Sequence, residues 1–168
     1  MIRPASQLLF GYPLLAALLL SGSERPKSLA SLLDSTGPRV LEQETRASVI
    51  RDYLQAWQSL GQALSGNRLA GVDDYFVGVA KSRLEGAVRE QRQLRIHVIY
   101  RNQTHDPRIV FYSPDGLSVQ IIDDVGYQLE VRDHGRVVAS QDVRSPYVAV
   151  MTPTENKWKV RILQAAAQ

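Results

Sequence analysis

No cysteine occurs in the 168 residues, which excludes disulfides, thiolate metal sites, cysteine nucleophiles and lipid acylation at a cysteine. Neither sign of charge dominates. Twenty Lys and Arg against seventeen Asp and Glu leave +3, too small and scattered a surplus to indicate a nucleic-acid partner. Glycine (11) and proline (8) are too sparse for collagen-like or low-complexity repeats, and no internal repeat is found. There is no Gly-x-Ser-x-Gly, no phosphate-cradling glycine loop and no Ser-His-Asp set. The three histidines, His97, His105 and His134, are too dispersed for metal-ligand spacing, so neither a metal nor a cofactor is expected. What remains is ordinary for a globular protein: 44% hydrophobic and 22% charged residues in a length suited to one domain.

Long apolar runs are also missing, with one exception. Arg3 is followed by the uncharged stretch Leu8 to Leu20, and then by Ser21-Gly22-Ser23. A basic start, an apolar centre and a small-residue exit describe an export signal over residues 1–23. Counted from Pro4 to Gly22, the uncharged segment is long enough to remain as an anchor if it is not cleaved. The expected location is therefore secreted or periplasmic, with membrane attachment only through an uncleaved segment 4–22. The lack of cysteine suits such a destination. Residues 24–39 mix charges, small residues and breakers, and read as a tether preceding a domain at 40–168.

From Val40 to Leu64 the apolar residues recur with helical period: Ile50, Tyr53, Leu54, Trp57, Leu60 and Leu64 share one face, with Arg51, Asp52 and Gln55 largely elsewhere. Ser65-Gly66-Asn67 should end that helix. A second helical region spans about Leu69 to Gln91, with a break near Gly78. The period then changes to two. Leu94, Ile96, Val98 and Tyr100 alternate with polar neighbours, which leaves His97 exposed and puts His105 and His134 in turns. Ile109–Tyr112 forms a short strand and Ser113-Pro114-Asp115-Gly116 a turn.

Leu117 to Arg132 is the most informative stretch. Its odd positions (Val119, Ile121, Asp123, Val125, Tyr127, Leu129, Val131) are apolar save one, and its even positions are mostly polar. Gly126 marks a bulge or bend. Val137 to Met151 is a further extended segment interrupted by Pro146, and Lys157 to Ile162 closes the chain with alternation. Helices first, then about five strands joined by turns, imply an α+β fold: N-terminal helices packed on a curved antiparallel sheet.

This pattern resembles the nuclear transport factor 2-like superfamily, the cone-shaped α+β fold shared with ketosteroid isomerases. The resemblance rests on the helix carrying Tyr53 and Trp57, the long strand around Ile121–Val131 and the ending Lys157-Trp158-Lys159-Val160-Arg161-Ile162. It implies a hollow between sheet and helices. It also implies a choice of roles: isomerases and dehydratases, small-ligand binders, non-catalytic adaptors, and tethered periplasmic parts of secretion or division complexes. Fold alone does not choose among them.

Asp123 is the one charged residue on the apolar face, and a desolvated carboxylate there would suit a general base. Tyr53 and Tyr127 would then donate to a developing oxyanion, and Trp57 would complete a ligand pocket of Tyr53, Trp57, Asp123 and Tyr127. The competing expectation is that a bulge turns Asp123 to solvent, or that an arginine pairs with it. Lys81, Arg83, Arg89, Arg92, Arg95 and Arg101 form the densest basic region, read as a solvated face with ion pairs to Glu85 and Glu90. The leading expectation is an exported non-catalytic binding or scaffold domain, recognising a protein or a small apolar ligand, with homodimerisation through an exposed sheet face. The alternatives are a cone-pocket isomerase or dehydratase using Asp123, and a membrane-anchored component of a secretion or division complex.

Overall fold

The computed structural model describes residues 41–166. The expected export segment (1–23) and the whole of the tether (24–39) lie outside them. Three helices come first among the described residues: α1 (Gln43–Gly66), α2 (Val72–Tyr75) and α3 (Gly78–Leu94). Five strands follow: β1 (Ile96–Thr104), β2 (Pro107–Tyr112), β3 (Val119–Asp133), β4 (Arg136–Pro153) and β5 (Trp158–Ala165). The expected α+β order is present, as is the fully antiparallel curved sheet.

Helix α1 buries Val49, Tyr53, Ala56, Trp57, Leu60, Ala63 and Leu64, a stripe at three- and four-residue spacings. Asn67 ends it in the left-handed conformation that its short amide side chain tolerates. The expected second helix is two, because Phe76 and Val77 leave it to reach the sheet. Phe76 bridges Val160, and the Val77 N–H donates to the Val160 carbonyl at 2.9 Å. Gly78, at φ +56°, restarts the helix.

Strand β3 is the spine. Its residues alternate buried and half-buried along nearly the whole length, with Val119, Ile121, Asp123, Val125, Tyr127, Leu129 and Val131 inward. Strand β4 covers one edge of β3 from Val119 to Asp133, through a two-residue turn in which His134 and Gly135 both take positive φ. Strands β1 and β2 lie end to end on the other edge, β1 against Gly126–Asp133 and β2 against Val119–Asp123. Their junction, His105-Asp106, therefore sits beside the middle of β3. Helices and sheet close on one core in which Tyr53, Phe76, Leu60, Ile121 and Met151 are fully buried.

Pro146 does not interrupt β4. Its carbonyl accepts from the Ala166 N–H, on the side facing β5. In an antiparallel strand a residue's N and O point to the same side, so the missing N–H also faces that way, where β5 has run out. The β3–β4 ladder loses nothing.

Candidate functional site

Two neighbouring residues of α1 tie the helix to the sheet. Asp52, expected off the apolar face, is buried, and its Oδ2 accepts from the Trp158 N–H at the start of β5 (2.8 Å). Its Oδ1 takes Arg51. The next residue, Tyr53, donates from its hydroxyl to Oδ2 of Asp123, 2.9 Å away on β3. Burial, reinforced by the Asp123 charge, raises the Tyr53 hydroxyl pKa well above the usual tyrosine range, and the nearby Trp57 indole offsets only part of this. Tyr53 thus stays a proton donor.

Asp123 is fully buried, so the expected bulge to solvent does not occur, and among the described residues no arginine pairs with it. Three donors hold it instead. Besides Tyr53, the His105 Nδ1 lies 2.7 Å from Oδ2, and the Asp106 backbone N–H donates to Oδ1 at 2.7 Å. His105 is not a solvent-facing turn residue: its side chain is 14% exposed and its ring packs on Trp57, centroids 5.2 Å apart. The reason is a register shift in β1 between Arg101 and Thr104. Even-numbered residues of β1 point inward up to Tyr100; beyond the shift Thr104 opposes Gly126 on the outer face, and odd-numbered His105 turns in.

The other expected pocket residues sit nearby with different partners. Trp57 lies edge-on to Tyr147 at 5.0 Å, and its indole N–H has no hydrogen-bond acceptor among the described residues. Tyr127 does not touch Asp123. Its hydroxyl pairs with that of Tyr147 at 3.0 Å, and its ring packs on Tyr100 at 4.7 Å. Aromatic rings thus run from α1 across β4, β3 and β1. Burial raises the hydroxyl pKa values of Tyr100, Tyr127 and Tyr147 as well.

A cavity of about 570 Å3 opens beside this cluster, between the His105-Asp106 junction and the β4 segment Arg144-Ser145-Pro146, with Asp124 also on its wall. None of the four expected pocket residues lines it. Among the described residues no group of three or more His, Asp or Glu could hold a metal. Elsewhere, Lys81 pairs with Asp73 (2.8 Å) and Glu85 (3.7 Å), and Arg101 pairs with Glu130 on the neighbouring strand (2.8 Å). Of the basic region, Arg83, Arg89, Arg92 and Arg95 form no ion pair among the described residues.

No protein-family model matches the chain, and no curated protein matches it in sequence. The fold is similar to that of the intermembrane space region of the chloroplast protein ARC6, with a TM-score of 0.61 at 13% identity, over 77% of this chain and all of that one. Aln2 from a Streptomyces species gives 0.46 at 12% identity, over 76% of this chain and 94% of the other. A calcium/calmodulin dependent protein kinase II association domain from Xanthomonas campestris gives 0.42 at 15% identity, over 79% and 95%. At these identities the likeness is one of fold, and the ARC6 region carries it.

Proposed function

We propose that this chain is a non-catalytic binding or scaffold domain of the nuclear transport factor 2-like kind, working outside the cytoplasm. The observation that carries the reading is the state of Asp123. A general base needs a lone pair aimed at a substrate proton. Asp123 is fully buried and gives its oxygens to Tyr53, His105 and the Asp106 N–H, so its hydrogen-bonding capacity serves the fold. Beside it Trp57 packs on Tyr147, whose hydroxyl pairs with that of Tyr127, so these aromatic side chains are committed to one another. What supports the compartment is the N-terminal sequence, and a fold shared with an intermembrane-space region is consistent with it. No helix of the described residues is long and apolar enough to cross a membrane.

The test is crosslinking in the native host with wild-type protein and with Tyr53→Phe. The same partner should be recovered at similar yield from both, while the variant loses about 2 kcal/mol of stability with its hydrogen bond to a buried carboxylate. Metabolite turnover by the wild-type protein that disappears in a still-folded Tyr53→Phe would overturn the proposal.

A further inference from the structure

The bonds made by Asp123 end at a surface feature. Its two oxygens hold His105 and the Asp106 N–H, and these two residues form one wall of the 570 Å3 cavity. Burying a carboxylate is costly unless it is well bonded, and this one fixes the junction between β1 and β2. The opposite wall, Arg144-Ser145-Pro146, is held by the β3–β4 ladder, where Arg144 opposes Gly126 and Pro146 opposes Asp124. Both walls are thus built on rigid parts of the sheet, on either side of β3.

The charges on these walls are unequal in their commitments. Asp124 is already paired with Arg108, at 2.7 Å. The side chains of Asp106 and Arg144 have no ionic partner among the described residues, and they do not pair with each other. Asp106 and Arg144, both exposed, therefore line a single cavity from opposite sides of β3, one an unpaired anion and the other an unpaired cation. A simple anion would leave Asp106 unmatched, and a simple cation would leave Arg144 unmatched. A molecule carrying both an ammonium and a carboxylate satisfies the two at once. The cavity volume suits a small ligand.

We infer that this cavity is a binding site for a small zwitterion, of free amino-acid to dipeptide size, with its ammonium at Asp106 and its carboxylate at Arg144. The inference deepens the binding-domain reading and rests on it. Asp123 acts here as a positioning residue, because it touches the wall and not the ligand.

Calorimetric titration of the full chain with L-alanine and L-alanyl-L-alanine tests it, alongside their N-acetyl and C-terminal amide derivatives. The free zwitterion of at least one should bind saturably, and each blocked derivative should bind about tenfold more weakly, as expected for loss of one charged hydrogen bond. Asp106→Asn keeps the backbone N–H that Asp123 holds. It should abolish discrimination against the N-acetyl derivative while leaving discrimination against the amide. Arg144→Gln should do the reverse. Absence of saturable heat from both free probes overturns the site, as does equal binding of blocked and free forms. Discrimination unchanged in both variants overturns it too, since binding would then lie elsewhere. Recovery of the same protein partner by crosslinking in any of these cases leaves the broader binding reading standing, so the two failures are distinguishable.

Discussion

Asp52 and Tyr53 are adjacent on one helix yet bond to strands 106 and 70 residues further along the chain. Asp52→Ala should strand the buried Trp158 N–H and cost about 2–3 kcal/mol of stability in urea denaturation. Asp52→Asn retains an oxygen acceptor and should lose about half of that. The role of Asp52 is not legible in the sequence, because an acidic residue beside an apolar stripe is ordinarily solvated, and its acceptor duty depends on where β5 begins. Asp123 is legible as the odd residue on an apolar face; its partners are not. His105 is hidden for a definite reason. Its direction is set by the register shift between Arg101 and Thr104, where Asn102 takes positive φ (+52°); the sequence signals a turn there but not which way the next side chain points.

At the scale of elements, β3 is the most legible part of the chain, since one-sided burial over fifteen residues imposes an alternation that the residues themselves record. Gly126 reads in the sequence as a bulge or bend, but the irregularity belongs to its neighbour. A Cβ added at Gly126 would come within 2.7 Å of the Thr104 Oγ1, so the bare glycine lets the irregular end of β1 lie close against β3. Gly126→Ala is therefore expected to lower stability by about 1–2 kcal/mol. Adding Thr104→Ala, which removes the clashing oxygen, should recover most of it, as a double-mutant cycle by chemical denaturation would measure. Pro146 reads in the sequence as an interruption, and β4 runs through it. Proline's effect depends on which edge its missing N–H would face, and that is a property of the assembled sheet.

At the scale of the whole molecule, four of the seven tyrosines gather in or beside the cone with their hydroxyl pKa values raised: Tyr53, Tyr100, Tyr127 and Tyr147. A tyrosine whose folded pKa lies above its unfolded value contributes stability that is complete below the unfolded value, 10.0, and is lost as pH rises beyond it. Alkaline titration followed by phenolate absorbance should show these four ionising together with loss of near-ultraviolet dichroism. Ionisation of all four in a protein that stays folded would contradict their burial. One connection reaches further. The Ala166 N–H is bound to the Pro146 carbonyl at 2.8 Å, and Pro146 lines the cavity, so the chain leaves β5 at the cavity rim. A fluorophore attached at Ala166 would sit at that rim, and its emission is expected to change when a ligand enters the cavity.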